Sequence, residues 1–172
     1  MMEALMSTDP VAAELSRALK SSRVSQAIAP VLARVVNALS ARPDEPQAWE
    51  PLALNSRELQ LPAGIQSCWI FVLRANAVFG AERHPNSHQR TIALSGSALF
   101  EVLIDGAWSP RPISGAIAED AVSIPLSVWH RIKVGPQNFL SASFHTVPAD
   151  QLIEETPVAD DLSKTKRRLY HA

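Results

Sequence analysis

Residues 80–96 read GAERHPNSHQRTIALSG. The run arrives as a strand, breaks at Pro85-Asn86-Ser87 and leaves as a second strand, placing His84, His88, Glu82 and Gln89 around one turn. In extended chain, side chains two residues apart share a face. Glu82 and His84 therefore point together with Arg83 turned away, and the turn returns His88 or Gln89 close to that pair. Further along, SIPLSVWHRI (123–132) opens another strand with His130. Imidazoles beside a carboxylate suit first-row divalent metals, and ligands fixed on strands lose little entropy on binding.

The texture on either side is that of short strands. From residue 52 onward, SCWIFVLRANAVFG, RTIALSG, ALFEVLIDG, AVSIP, HRIKVG and FLSASFHTV are punctuated by Gly80, Gly96, Asp105-Gly106, Gly115 and Gly135-Pro136. Close, regular spacing of such runs predicts an antiparallel sandwich or barrel. The first forty residues differ. Val11, Leu15 and Leu19 recur at helical spacing behind Ser7, Thr8 or Asp9 as N-cap and Pro10 in the first turn. In PVLARVVNALSAR the residues Val31, Leu32, Val35, Val36 and Leu39 form an apolar stripe, and Pro30 is expected to open that helix because proline disrupts a helix interior. The stripe needs a cover, either the rest of the fold or a second subunit. RPDEPQAWEP (42–51) reads as a connector. The division expected is a helical extension and connector over 1–50, a β domain over 51–150 and a polar, partly helical tail over 151–172 that wraps the surface.

Composition bounds the function. With 47% apolar and 19% charged residues the chain is an ordinary globular protein. A net charge of −1 argues against a nucleic-acid partner, and KTKRR (164–168) reads as part of a solvated tail. The start MMEALMSTDP lacks a basic n-region and no apolar run is long enough to span a bilayer, so a cytoplasmic protein with no membrane partner is expected. The single cysteine, Cys68, sits in the apolar run CWIFVL and reads as a buried hydrophobe. There is no glycine-rich phosphate loop, Ser-His-Asp order or Cys-x-x-Cys pair.

The region from about residue 66 to 148 resembles the conserved barrel of the cupin superfamily. In the first cupin motif Glu82 stands at the first histidine, His84 at the second, and Gln89 at the glutamate, counted back from Gly96. In the second, Pro125 and His130 match, while Ser127 replaces a glycine, Glu119 the leading glycine and Val134 the asparagine. The resemblance implies an all-β double-stranded β-helix, or jelly roll, behind N-terminal helices, and a divalent ion (iron, nickel, zinc, manganese or copper) inside it. Strict spacing gives the ligands Glu82, His84, Gln89 and His130. A slip of one residue at the turn gives Glu82, His84, His88 and His130, favoured here because imidazole is the better neutral ligand. In that register Arg90, Ile92 and Leu94 also face inward.

Other polar residues stand near these in the sequence. His145, with Ser141 and Ser143 on one face of LSASFHTV, is a candidate general acid or base, and Arg90 with Arg74 a candidate clamp for a substrate carboxylate. Trp69 and Trp129 read as core aromatics, and Glu154-Glu155 as a solvated pair outside the barrel. Two functions follow. One is a metal-dependent dioxygenase-type or isomerase-type enzyme acting on a small organic molecule; the other is a non-catalytic small-molecule-binding or sensing cupin, with or without metal. Pairing of such barrels makes a homodimer the expected assembly.

Overall fold

Two facing sheets, not one continuous wall, enclose the apolar runs. The structure is a computed structural model describing residues 9–54, 59–117 and 121–170. Two helices, α1 (Pro10–Leu19) and α2 (Ser22–Ser40), precede the strands β1 (Gln47–Leu52), β2 (Ser67–Leu73), β3 (Val78–Glu82), β4 (Gln89–Ser95), β5 (Ser97–Ile104) and β6 (Ala107–Ser114). There follow β7 (Ala121–Ile124), β8 (His130–Val134), β9 (Phe139–His145), β10 (Ile153–Val158) and β11 (Asp161–Leu169). One sheet has the order β1-β2-β9-β4-β7, the other β3-β8-β5-β6, and every named pairing is antiparallel. This is the jelly-roll architecture expected, with its helical extension in front.

The five-stranded sheet is buried on both faces because both are covered. Its outer face carries Cys68, Ile70, Val72, Ile92, Ala142 and Phe144, which form one core with the helices. From α2 the residues Val24, Ile28, Val31, Val35 and Leu39 are all buried there. The stripe thus finds its cover within its own chain and needs no second subunit. The inner face meets Ala98, Phe100 and Val102 of β5 in a second core with Leu73, Val122, Ile124 and Phe139.

Pro30 does not open the second helix but lies inside it, the helix starting at Ser22 behind the Ser21 cap. Burying five apolar side chains is worth on the order of 10 kcal/mol before entropy. An interior proline costs about 3 kcal/mol. Pro30 is exposed, as is Gln26, whose carbonyl loses its helical partner there. Asp9 is the cap of α1, its carboxylate accepting from Val11 N at 3.0 Å; Ser7 and Thr8 lie outside the described residues. The second half of the expected connector is the edge strand β1, paired with β2 from Gln47↔Leu73 to Leu52↔Cys68.

The tail is also ordered differently from the expectation. After a 3-10 turn at Ala149–Gln151 it forms a hairpin, β10 against β11, instead of a helix. Its register sets Glu154 opposite Arg168 and Glu155 opposite Arg167, so KTKRR is half of a charge-paired hairpin and not a free tail. Tyr170 and Leu152 pack with Trp69, anchoring the hairpin to the strands. Among the described residues no helix is long and apolar enough to cross a membrane.

Candidate metal centre

Pleating alone would turn Ala81, two residues after the inward Phe79, toward the interior. The pairing of β3 with β8 prevents this, running Phe79↔Ile132 and then Glu82↔His130, with one extra residue on β3 at Gly80-Ala81. Such a bulge re-aims the chain beyond it, and Glu82 and His84 face inward together. His130 opens β8 on the same wall, 0% exposed, its ring stacked beside Phe100 with centroids 6.5 Å apart. The two ligand loops are joined by the Ser127 N–H donating to the His84 carbonyl at 2.9 Å. Ser127 holds φ of +63°, a conformation that explains the glycine common at this place in the motif.

One ligand atom each from Glu82, His84 and His130 lie within 4.8 Å of one another. Hydrogen bonds on the far sides fix the rings: His84 Nδ1 lies 3.0 Å from the Ile153 carbonyl and His130 Nδ1 3.3 Å from that of Val128. With Nδ1 of each ring turned to a backbone carbonyl, Nε2 of each faces the cluster, the orientation that ligating histidines take. His130 Nε2 is 3.3 Å from Glu82 Oε1 yet makes no hydrogen bond, and Gln89 Oε1 is likewise buried with none. The Gln89 amide nitrogen is occupied, donating to Thr91 Oγ1 at 3.1 Å, so its oxygen is the free end. Buried polar atoms without partners are costly; a divalent ion would satisfy them, and the donor set fits one.

Electrostatics agree with that donor set. Burial would raise the Glu82 carboxyl, but the adjacent His130 ring outweighs it and lowers its pKa. Burial pushes His84 below the usual histidine range despite Glu82, so it is the neutral, ligating form. His145 is pushed well below it by burial and by the neighbouring His84 and His130.

His88 is not part of this group. Sheet parity puts Gln89, Thr91 and Ala93 on the inner face and Arg90, Ile92 and Leu94 on the outer, the reverse of the favoured register. The His88 ring bonds Ser123 Oγ at 2.7 Å and lies 3.9 Å from Asp9 Oδ2. Arg90 follows it outward, its Nε donating to Asp9 at 2.6 Å. Arg74 donates to the carbonyls of Leu39, Arg42 and Glu45, closing the end of α2. Neither arginine reaches the interior, so neither clamps a substrate there. Cys68 is buried in the outer core, and burial raises its thiol far above the ordinary range.

Beside the cluster an interior cavity of about 70 Å³ is lined by Phe71, Phe79, Phe100, Phe139 and Ile132 and by the polar Gln89, Thr91, Ser141 and Ser143. Ser141, Ser143 and His145 share one face of β9, and that face points inward. His145 sits deeper, its ring 5.0 Å from that of His84 and bonded to Ser87 Oγ at 3.2 Å and Ser143 Oγ at 3.3 Å. Trp69 is in the core, and Trp129 is buried beneath the Arg83 guanidinium, 4.5 Å from its centroid. Sequence reasoning missed two residues. Glu154, 2% exposed and not solvated, and Arg168 both line this cavity from the hairpin. The signal was present: two acids in one run and two bases in the next, separated by a turn, suit a hairpin with complementary cross-strand pairs.

No protein-family model matches the chain, and no curated protein does. Among solved structures it is similar to the coconut allergen cocosin, at 19% identity over 66% of this chain and 29% of that one, with a TM-score of 0.52. It is similar also to the pumpkin pro-11S globulin, at 19% identity, 66% and 28% coverage and a TM-score of 0.51. CapF, crystallised with the inhibitor 3-isopropenyl-tropolone, matches at 14% identity, 62% and 30% coverage and a TM-score of 0.50. The chain spans less than a third of each of those longer proteins. At such identities the likeness is one of fold alone.

Proposed function

We propose that this chain is a metal-dependent cupin enzyme acting on a small organic molecule, with Glu82, His84, His130 and Gln89 holding a divalent ion. The observation that carries the reading is the convergence of two imidazoles and a carboxylate beside a cavity, with His130 Nε2 and Gln89 Oε1 left without partners. Gln89 takes the place given to His88 in the slipped register, because it is the inward residue of β4.

A bound divalent ion supplies Lewis acidity toward a substrate oxygen. The protein supplies the rest. Phe71, Phe79, Phe100 and Phe139 exclude water, which strengthens electrostatic interactions within the cavity. Thr91, Ser141 and Ser143 offer hydroxyls to a polar substrate group on the opposite wall. Neutral His145, bonded to Ser143 on one ring nitrogen and Ser87 on the other, is placed to move a proton between Nε2 and Ser143 Oγ. A cavity of about 70 Å³ is small beside the roughly 300–1,000 Å³ clefts that take drug-sized ligands, which favours a substrate of few heavy atoms.

The test is elemental analysis of protein purified without an affinity tag, beside His84→Ala and His130→Ala variants. Stoichiometric metal in the parent and its loss from both variants are expected; metal retained in both would refute the site. Oxygen uptake by iron-loaded protein across a panel of small alcohols, thiols and acids then separates dioxygenase from isomerase chemistry.

A further inference from the structure

Two sheets supply most of the cavity wall, but on one side neither does. There Glu154, Arg168 and Tyr170, all from the C-terminal hairpin and its end, line it. The hairpin is a two-stranded sheet of its own, and among the described residues its one backbone bridge to the barrel is Arg83↔Glu155. Arg168, two-thirds of its side chain in solvent, marks the mouth of the cavity.

The two long edges of the hairpin are held very differently. On the β10 side the bonds gather within a few residues. Arg83 and Glu155 exchange both backbone hydrogen bonds, each 2.9 Å, and the Glu155 carboxylate accepts from Arg83 Nε at 2.7 Å. Asn86 donates to the Gln151 carbonyl at 2.7 Å and accepts from the Ile153 N–H at 3.1 Å. On the β11 side, among the described residues, no hydrogen bond or ion pair reaches either sheet. Arg167 and Arg168 bond Glu155 and Glu154 of the hairpin itself. From Ser163 to Leu169 the strand is exposed. What seats this edge is Tyr170, 8% exposed, its ring centroid 5.1 Å from those of Trp49 and Trp69. Directional bonds on one edge and an aromatic plug on the other make a hinge and a latch. An element held by so few contacts opens at a free energy well below that of global unfolding.

We propose that the C-terminal hairpin is a lid over the cavity, hinged where Glu155 meets Arg83 and latched by Tyr170 against Trp49 and Trp69. When Tyr170 leaves its seat, β11 swings away from Gln47 of β1, which lines the same cavity, and carries Arg168 with it. A passage for a small molecule opens between β1 and β11, and its closing shuts water out, as lids do in enzymes. The inference concerns access to the cavity and stands whether or not an ion binds.

Thiol labelling of the full chain tests it. Ser141→Cys puts a thiol on the cavity wall, and Cys68, buried in the outer core, reports unfolding of the whole chain. Iodoacetamide uptake at each position is followed by mass spectrometry in rising, sub-denaturing urea. The thiol of Ser141→Cys should react faster than Cys68, at a rate nearly flat in urea, because lid opening exposes little surface. Adding Tyr170→Ala should speed that reaction about tenfold or more, the worth of at least one aromatic pair, with Cys68 still the slower and the urea-dependent site. Adding Tyr170→Phe, which keeps the ring, should leave the rate within a few-fold. Should Ser141→Cys not fold, Thr91→Cys places a thiol in the same cavity. Three results would overturn the lid: labelling at the pace and urea slope of Cys68, labelling as fast as a free thiol, or no acceleration by Tyr170→Ala. None of them bears on metal content, so the lid and the metal reading stand or fall separately.

Discussion

Asp9 offers the sharpest test of which way β4 faces. Its carboxylate caps α1 through Val11 N, and its Oδ2 accepts from Arg90 Nε at 2.6 Å and Ser123 Oγ at 2.5 Å. The pair is largely sheltered, with Asp9 and Arg90 side chains 16% and 10% exposed. Replacing Asp9 by alanine removes a cap worth about 1 kcal/mol. It also leaves the Arg90 guanidinium without its carboxylate. A fully buried orphaned charge costs roughly 3–5 kcal/mol; at this partly wetted edge about 2 kcal/mol is the better figure. The sum is about 3 kcal/mol for Asp9→Ala, and about 2 kcal/mol for Asp9→Asn, which keeps a capping oxygen. For a domain of this size that is a fall in Tm of roughly 6–12 °C for alanine.

The pH dependence has a definite sign. Hydrogen bonds from Ser123 and Arg90 outweigh burial and lower the Asp9 pKa on folding. A depressed carboxylate contributes stability above its unfolded value, about 3.9, and loses it as pH falls through the lower folded value. The gap between wild type and Asp9→Asn should therefore be constant from about pH 5 to 8 and close below about pH 4. Urea melts at several pH values measure it, and metal content should be unchanged in both variants. A loss below about 0.5 kcal/mol, or metal lost along with stability, would refute the assignment of Arg90 and His88 to an outer clasp.

Two further outcomes follow from the same geometry. Gln89→Ala should weaken Co(II) or Zn(II) binding about tenfold, the worth of one hydrogen-bond-grade contact to a charge, whereas His88→Ala should leave it unchanged; competition titration distinguishes them. Ser127→Gly should stabilise the fold, because exposed Ser127 holds φ of +63° at a cost of about 1–2 kcal/mol that glycine escapes, less its larger unfolded-state entropy. A net gain of about 0.5–1 kcal/mol is expected in thermal melts, and a loss would show that the serine hydroxyl contributes more than the backbone strain removes.

Much of the site was legible in the primary structure. Strand texture, the spacing of Glu82, His84 and His130, and the buried character of Cys68 and Trp69 all follow from local pattern and need no partner to be read. Which residue of the His88-Gln89 pair faces inward was not, because a period of two assigns faces only when one face is polar. Here α1 and α2 cover the outer face, so β4 is buried on both and its alternation carries no sign. The helix running through Pro30 was hidden for a similar reason, since burial along the whole stripe outweighs a local penalty.

What the chain's order of residues determined by itself is thus the inventory: helices, then strands, with imidazoles and a carboxylate at intervals that can meet. Tertiary structure alone decided the aim of each side chain. A single extra residue at Gly80-Ala81 turns Glu82 inward, and a hairpin beginning some seventy residues later delivers Glu154 beside it. The reason is physical: strand pairing and burial are set by partners distant along the chain, and a one-residue change in register exchanges the two faces of a strand.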